Sequence, residues 1–360
     1  MPRELGRSDQ PGRNIFTSRN VQQFLKPSVD LNGHSILVTG GTGSFGKKFI
    51  RTVLERYKPA RLIVYSRDEL KQFEMEQELP TATHRCLRYF IGDVRDMGRL
   101  EMAMRGIDTV VHAAALKHVP IAEYNPFECI ATNVHGAENV VNAAIRAGVK
   151  QVVALSTDKA ANPINLYGAS KLASDKIFIA ANHLAGGDGC RFGVVRYGNV
   201  IGSRGSVIPF FRKLIAGGAT ELPITDERMT RFLITLQQGV NFVLSSMAMM
   251  RGGEIFVPKI PSMKITDVAA AIAPSLKRKM VGIRPGEKLH EVMITEEDSW
   301  STVELPDRYV IEPSHINWDA HREPLAGAKK VEEGFYYNSR NNDDWMSGER
   351  LLELLAAEKP

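Results

Sequence analysis

Two side chains that can move protons stand four residues apart in the chain, at Tyr167 and Lys171. On a helix, this spacing places both side chains on one face. A free tyrosine phenol titrates near pH ~10, and a neighbouring ammonium favours its deprotonated form. We therefore expect Lys171 to lower the pKa of Tyr167, which makes Tyr167 a candidate base for a substrate hydroxyl proton.

A further set of proton-transfer groups precedes this pair in the sequence Ser156-Thr157-Asp158-Lys159. Thr157 can donate a hydrogen bond to a substrate oxygen, and Asp158 can give a proton to a leaving hydroxyl. Lys159 can remove a proton only if burial or a neighbouring cation, such as Lys171, lowers its pKa. Together, these three side chains could catalyse the elimination of water from a bound substrate. The alternative is that Asp158 and Lys159 form an exposed ion pair in a loop.

The elements that must position these residues alternate between apolar strands and helices. Strands are predicted at Ile36–Val38, Leu62–Tyr65, Cys86–Phe90, Thr109–His112 and Val152–Leu155. Continuous apolar strands separated by helices indicate a parallel sheet covered on both faces. The sequence thus predicts an α/β, doubly wound fold of the Rossmann type, with its ligand crevice at the carboxyl ends of the strands.

A glycine-rich turn, Thr39 to Gly46, directly follows the first predicted strand. In dinucleotide-binding folds the first glycine forms the turn, the second admits the pyrophosphate, and the third lets the helix pack on the strand. The helix N-terminus then attracts the phosphates. The alternative is an ordinary strand-to-helix turn. The predicted cofactor contacts here and after the fourth strand are Gly40, Thr42, Gly43, Ser44, Phe45, Gly46 and Ala113.

The end of the second strand predicts which dinucleotide binds. Folds that prefer NAD place an acidic residue here to hold the ribose hydroxyls. This chain has Ser66 and Arg67 instead, followed by Asp68 and Lys71. A guanidinium suits a 2′-phosphate, so we expect NADP. The alternative is that Arg67 pairs on the surface with Asp68 or Glu69. Adenine contacts are predicted for the residues after the third strand, Asp93 and Val94.

Composition limits the function classes. Hydrophobic residues make up 43% and charged residues 24%, as in globular proteins, and a net charge of +5 is too weak to indicate nucleic-acid binding. No apolar run reaches the roughly 18–20 residues of a membrane helix. The three cysteines and the histidines lack metal-ligand spacing. We expect a cytoplasmic protein that binds no membrane, nucleic acid or metal.

The regular alternation of strands and helices breaks up after about Gly193. We therefore divide the chain into an N-terminal extension at 1–30, an NADP-binding Rossmann domain at 31–195, and a mainly substrate-binding portion at 196–360. The last portion is smaller than a second full domain, and the chain can return from it to the Rossmann sheet.

Several motifs together carry a resemblance to a known family. The pair of Tyr167 and Lys171 resembles the extended short-chain dehydrogenases/reductases. Within that family, the chain is similar to the inverting UDP-N-acetylglucosamine 4,6-dehydratases of pseudaminic acid biosynthesis. The resemblance runs from about Ser35 to Asn342 and rests on the segments YSRDELK, IGDVRD, HAAALKHVP, LSTDKAANPINLYGASK, VRYGNVIGSRGSVIP and GIRPGEKLHEV. Retaining dehydratases are similar but carry Asp-Glu where this chain has Asp158-Lys159.

The resemblance implies a reaction on UDP-N-acetylglucosamine with NADP. Tyr167 takes the proton of the 4-hydroxyl as C4 is oxidised, and Thr157 donates to the 4-oxygen. Lys159 removes the C5 proton, Asp158 protonates the departing 6-hydroxyl, and Lys171 holds the nicotinamide ribose. The implied product is UDP-2-acetamido-2,6-dideoxy-β-L-arabino-hex-4-ulose, for flagellin or surface-glycan modification. Retaining dehydration, UDP-hexose 4-epimerisation and a non-catalytic NADP-binding scaffold are the alternatives.

Substrate contacts and assembly follow from the same resemblance. Lys117, after the fourth strand, is expected to face the crevice. The other predicted substrate-binding residues lie in a glycine-rich loop and in a later turn that would close around the nucleotide: Asn199, Val200, Ile201, Gly202, Ser203, Arg204, Thr225, Arg284, Pro285, Gly286 and Glu287. Lys159 counts as a substrate contact as well. Members of the wider family pair through long helices, so a homo-oligomer is expected by analogy.

Overall fold

The apolar runs of the first half of the chain form parallel strands that are largely buried, except for the edge strand at Leu87–Ile91, which is partly exposed. A computed structural model describes residues 22–187, 189–203, 205–313 and 325–357. The first six strands are β1 (Ser35–Thr39), β2 (Arg61–Ser66), β3 (Leu87–Ile91), β4 (Thr109–His112), β5 (Gln151–Thr157) and β6 (Arg191–Tyr197). They pair in parallel in the order β6-β5-β4-β1-β2-β3. The predicted doubly wound fold is confirmed.

Helices connect these strands and cover the sheet. In chain order they are α1 (Ser44–Arg56), α2 (Glu69–Glu78), α3 (Met97–Met104), α4 (Val119–Tyr124), α5 (Pro126–Ile130), α6 (Gly136–Ala147), α7 (Leu166–Ala185), α8 (Val207–Ala216), α9 (Leu236–Met249), α10 (Ile265–Ile272) and α11 (Gly348–Ala357). A π-helical turn, Ala131–His135, joins α5 to α6. Helix α6 contacts α3 and α7, and α1 contacts α9.

The second half of the chain both extends this sheet and builds small sheets beside it. Its strands are β7 (Asn199–Val200), β8 (Glu221–Ile224), β9 (Thr230–Ile234), β10 (Ile255–Pro258), β11 (Ser262–Lys264), β12 (Lys277–Met280), β13 (Val292–Ile294), β14 (Thr302–Glu304), β15 (Arg308–Ile311), β16 (Lys329–Lys330) and β17 (Tyr337–Asn338). Strand β10 pairs with β6, and β15, β14 and β16 follow it outward to complete a ten-stranded sheet. The chain thus returns to the main sheet after residue 196.

Three small sheets hold the remaining strands: β11-β9-β7, β12-β8 and β13-β17. They place loops of the second half over the carboxyl ends of β5 and β6. Of the predicted extension at 1–30, residues 1–21 lie outside the described residues. Residues 22–30 pack on α9, where the ring of Phe24 meets that of Phe242 at 5.0 Å between centroids, and Gln238 Nε2 donates to the Gln22 carbonyl.

Candidate active site

A cleft of about 660 Å³ lies at the carboxyl ends of β1, β2, β4 and β5. It runs from the glycine-rich turn to Tyr167 and Lys171, which both line it. A second cleft of about 630 Å³ lies under the loops of the second half of the chain. Lys117, Lys159 and Asn199 line both clefts, so these residues mark the point where the two clefts meet.

The glycine-rich turn has a shape that side chains would obstruct. Gly40 has φ +65°, and a Cβ there would lie 2.9 Å from the backbone of Ala113. A Cβ at Gly46 would lie 2.5 Å from the carbonyl oxygen of Gly41. Helix α1 begins at Ser44 without a side-chain cap, so its first amides are available to an anion. All of the residues predicted at this turn line the first cleft, together with Ala113.

The residues predicted to choose the dinucleotide lie together at the end of β2. Ser66 Oγ is 2.8 Å from Thr42 Oγ1, which ties this end to the glycine-rich turn. Arg67 is half exposed and lies 3.6 Å from a carboxylate oxygen of Asp93, whereas Lys71 pairs with Asp68. Arg67 therefore pairs with Asp93, across the cleft edge, and not with Asp68 or Glu69.

The predicted adenine contacts both line the cleft. Val94 is buried. Burial opposes ionisation of Asp93, but hydrogen bonds and charge from Arg95 keep its pKa below the ordinary range. Its charge therefore persists at neutral pH and holds Arg67 and Arg95 at this edge of the cleft.

Tyr167 and Lys171 lie on one face of α7 and are both buried. Burial raises the pKa of Tyr167 to about 12, against the opposing effects of the Lys159 charge and a side-chain hydrogen bond with Thr157. The expectation that Lys171 brings this pKa down is therefore wrong for the protein alone, because burial dominates and the opposing cation is Lys159. The Thr157 hydroxyl and the Tyr167 phenol nevertheless meet, as a shared contact with one substrate oxygen requires.

A buried acidic group, Asp175, lies one helical turn after Lys171 on α7 and acts on its charge. Burial lowers the pKa of Lys171, and the charge of Asp175 opposes that effect. Asp175 accepts a hydrogen bond of 2.7 Å from Ser156 Oγ and lies 3.5 Å from Arg196. This network fixes α7 against β5 and β6.

Asp158 and Lys159 form a one-turn 3₁₀ helix that directly continues β5. Asp158 is fully buried, and its Oδ1 lies 3.0 Å from Lys159 Nζ and accepts a 3.0 Å hydrogen bond from Thr157 Oγ1. An exposed loop pair is thereby excluded. Helix α7 reaches this turn because position 168 is glycine: a Cβ there would lie 2.3 Å from the Lys159 carbonyl.

The protonation of this pair differs from the sequence-based expectation. Burial lowers the pKa of Lys159, but the charges of Asp158 and Glu291 outweigh burial and raise it. The expected lowering by Lys171 is therefore wrong: the groups in contact with Lys159 are the carboxylates of Asp158 and Glu291. Burial raises the pKa of Asp158, and the Glu291 charge adds to that rise, while Lys159 opposes it.

Glu291 and Arg231 are the site residues that the sequence reasoning missed. Glu291 Oε1 lies 3.0 Å from Lys159 Nζ and 3.5 Å from Arg231 Nε. Both are buried, and both line the second cleft. One signal was present in the sequence, because an arginine within the apolar strand TRFLI needs a buried partner. Nothing local identified Glu291 as that partner.

Most of the predicted substrate residues line the clefts. Asn199 has a buried side-chain oxygen, Oδ1, without a hydrogen-bonding partner among the described residues. The turn from Arg284 to Glu287 and Thr225 line the second cleft, while Val200 and Ser203 line the first. Two predicted contacts are elsewhere: Ile201 packs into an apolar cluster with Ile208, and Gly202 lines neither cleft. Arg204 lies outside the described residues.

Two further observations concern metal binding and membrane-spanning helices. Within 22–187, 189–203, 205–313 and 325–357, no three His, Cys, Asp or Glu side chains are grouped so that they could hold a metal ion. Over the same ranges, no helix is both long and apolar enough to span a bilayer.

The doubly wound sheet, the glycine-rich turn and the Tyr-Lys pair on α7 define an extended short-chain dehydrogenase/reductase. More particularly, the chain belongs to the family described as polysaccharide biosynthesis protein, which matches residues 36–313. It is 60% identical over 329 residues to a UDP-N-acetylglucosamine 4,6-dehydratase (inverting) of Campylobacter jejuni, covering 90% of this chain and 98% of that protein. A UDP-glucose 4-epimerase of Rickettsia canadensis is 41% identical over 332 residues, covering 89% and 95%.

Solved structures share the fold. The X-ray structure of Pen from Bacillus thuringiensis superposes with a TM-score of 0.83 at 36% identity, covering 92% of this chain and 99% of that one. A double mutant of DesIV, a dTDP-glucose 4,6-dehydratase from Streptomyces venezuelae solved with NAD bound, gives a TM-score of 0.61 at 26% identity. That match covers 71% of this chain and 86% of the other.

The close packing at Gly46 generates a testable prediction. We expect Gly46→Ala to weaken binding of a nicotinamide dinucleotide roughly tenfold or more, because the added Cβ meets the Gly41 carbonyl and must displace α1 from the turn. Gly239→Ala is the matched control, since a Cβ at that helical glycine has open space around it. Dissociation constants from a titration of intrinsic fluorescence measure the effect. Equal affinities for the two variants would contradict the assigned packing role.

Proposed function

We propose that the chain is an NADP-dependent UDP-N-acetylglucosamine 4,6-dehydratase that inverts C5 and yields UDP-2-acetamido-2,6-dideoxy-β-L-arabino-hex-4-ulose. The observation that carries the proposal is the buried contact between Asp158 and Lys159 at the junction of the two clefts. An enzyme that only oxidises and reduces C4 has no use for an acid–base pair at this position. The relative at 60% identity supports both the substrate and the inversion.

The first cleft has the shape and the donors that a nicotinamide dinucleotide requires. The glycine-rich turn would hold the pyrophosphate, Arg67 the 2′-phosphate and Lys171 the nicotinamide ribose. When bound, the nicotinamide would supply a hydride acceptor for C4 in its oxidised form, the hydride source for C6 in its reduced form, and a positive charge that favours the Tyr167 phenolate. The dehydratase solved with NAD supports a nicotinamide cofactor, and Arg67 favours NADP.

Tyr167 and Thr157 act on the 4-hydroxyl. The hydrogen bond between them indicates that both reach one oxygen atom. Tyr167 accepts the hydroxyl proton as C4 is oxidised, and the Thr157 hydroxyl turns from Asp158 to donate its hydrogen bond to the resulting carbonyl. The carbonyl in turn acidifies the proton on C5. Lys117 and Asn199 lie where the clefts meet, and we assign them to the hydroxyls and phosphate of the sugar nucleotide.

Asp158 and Lys159 carry out the elimination. Transfer of one proton along their 3.0 Å hydrogen bond turns Asp158 into an acid and Lys159 into a base at the same time. The neutral amine of Lys159 then takes the C5 proton, and the Asp158 carboxyl protonates the departing 6-hydroxyl. C6 then receives a hydride, and C5 takes up a proton on the face opposite to the one that Lys159 deprotonated, which inverts C5. This uptake replaces the proton lost from C5, and the proton that Tyr167 takes from the 4-hydroxyl balances the one that leaves with water, so a turnover consumes no proton.

A UDP-hexose 4-epimerase is the second candidate, because a relative with that name is 41% identical. Epimerisation uses Tyr167, Thr157 and Lys171 but leaves Asp158 and Lys159, which form one buried charge cluster with Glu291, idle. Burying three charged groups is costly unless they are used or fully paired, and the Asp158 and Glu291 carboxylates each keep one oxygen without a partner among the described residues. The dehydratase therefore accounts for more of the site.

Context and assembly complete the proposal. The dehydrated sugar suits the first step of pseudaminic acid biosynthesis in the cytoplasm, for flagellin or surface glycans. A homo-oligomer would cover the apolar surface on α4 and α5, where Ile121, Tyr124 and Phe127 are 54%, 87% and 87% exposed.

Product analysis in deuterium oxide tests the proposed function. We expect purified protein and UDP-N-acetylglucosamine to give a product that has lost one water, carries deuterium at C5 and shows the ring couplings of an L-arabino sugar. Mass spectrometry and NMR read these properties. A D-xylo ring would contradict the inversion alone, whereas a product of unchanged mass would support epimerisation and contradict the roles of Asp158 and Lys159.

Cofactor choice is tested at Arg67. We expect Arg67→Ala to weaken NADP binding roughly tenfold while it changes NAD binding little, because only NADP carries the 2′-phosphate that the guanidinium would pair with. Arg85→Ala, a change at an exposed arginine outside the cleft, is the control. The dissociation constants of NADP and NAD are measured for the wild-type protein and for both variants. An equal loss for NADP and NAD would contradict the assignment.

A further inference from the structure

One buried carboxylate of the site, Glu291, has no role in the steps described so far. It is 2% exposed, lines the second cleft, and touches Lys159 through Oε1. Its other oxygen, Oε2, is buried without a hydrogen-bonding partner among the described residues. A buried carboxylate with an unused acceptor is costly. Its presence beside Lys159 therefore requires an explanation in the chemistry of the site.

Two separate parts of the chain, Ser339 after β17 and strand β9, fix Glu291 in place. Its backbone amide donates to Ser339 Oγ at 2.9 Å, and its carbonyl accepts from the Ser339 amide at 2.8 Å. Ser339 Oγ is in turn 2.7 Å from Thr230 Oγ1. Arg231 approaches the carboxylate from β9. This support leaves Glu291 little freedom to move, so Lys159 must adapt to it.

Lys159 is shared equally between two carboxylates, since its Nζ lies 3.0 Å from both Asp158 Oδ1 and Glu291 Oε1. Without Glu291, the ammonium would pair with Asp158 alone and withdraw toward β5. With Glu291, it is drawn to the boundary of the sugar cleft. The negative charge of Glu291 also makes it harder for the pair to lose the proton that Asp158 must deliver.

We propose that Glu291 is a positioning residue of the elimination: it holds Lys159 at the sugar cleft and, by its charge, retains the proton that Asp158 and Lys159 share. This inference rests on the proposed function. Glu291 forms and breaks no bond with the substrate. Its position and charge act on the two residues that do.

The other charged groups around Glu291 set the sign of the effect. Burial raises the pKa of Glu291, but Lys159, Arg231 and Lys288 together hold it below the ordinary range. Glu291 therefore stays ionised at neutral pH, and its charge raises the pKa of both Asp158 and Lys159. Neutralising Glu291 lowers the pKa of both Asp158 and Lys159, because the positive charges of Arg231 and Lys288 stay in place. The shared proton is then lost at lower pH, and elimination is lost with it.

Glu291→Gln and Glu291→Asp test this inference, with the exposed Glu296→Gln as the matched control. Two rates are measured against pH: reduction of bound NADP by UDP-N-acetylglucosamine in a single turnover, which reports C4 oxidation, and release of the dehydrated product. For Glu291→Gln we expect elimination to slow on the order of 100-fold, with its alkaline limb moved to lower pH and C4 oxidation retained. Glu291→Asp keeps the negative charge. We expect it to restore part of the elimination rate and to return the alkaline limb of the pH profile to its wild-type position.

Three outcomes would overturn the inference. One is an unmoved pH profile in Glu291→Gln, and another is an equal loss of C4 oxidation and elimination, which would indicate a merely structural role. Thermal unfolding of each variant shows whether it is folded. If Glu291→Gln does not fold, the rates and pH profile of Glu291→Asp are used for the same two comparisons. The third is a wild-type protein that releases no dehydrated product, which would overturn the proposed function itself.

Discussion

The structure of the site depends on one ammonium group, that of Lys159, held between two buried carboxylates. Removing either partner of a buried ion pair leaves an uncompensated charge and commonly costs about 3–5 kcal/mol. The three groups therefore constrain how the parts of the chain that carry them pack together. Asp158 comes from the end of β5, and Glu291 from the loop before β13. Pairing them ties the dinucleotide-binding sheet to the second half of the chain.

That tie explains why the second half of the chain is organised as small sheets and not as a separate domain. Strand β9 brings Arg231 to the site, and the β13-β17 pair brings Glu291 and its support, Ser339. The same chain also returns to the main sheet through β10, beside β6. The two clefts meet along a shared wall that carries Lys117, Lys159 and Asn199, so a ligand bound there would contact residues of both clefts.

Much of this arrangement could be predicted from local sequence, and the remainder could not for a physical reason. Apolar strands, the glycine-rich turn and the spacing of Tyr167 and Lys171 are local patterns, and the structure has them as predicted. The rise in the Lys159 pKa comes first from the adjacent Asp158 and then from Glu291, which lies far away in sequence and whose approach no local pattern encodes. Tyr167 is a similar case, because the degree of burial, which raises its pKa, follows from packing and not from the adjacent lysine.

A substrate that can be oxidised but cannot lose water separates the two halves of the chemistry most directly. UDP-2-acetamido-2,6-dideoxyglucose has no 6-hydroxyl, so its incubation with the protein and NADP in deuterium oxide isolates oxidation at C4 and proton removal at C5. The account predicts that the bound cofactor becomes reduced and that the recovered sugar carries deuterium at C5. Reduction of the cofactor without deuterium at C5 would contradict it, because the Asp158–Lys159 pair would then have no access to the C5 proton.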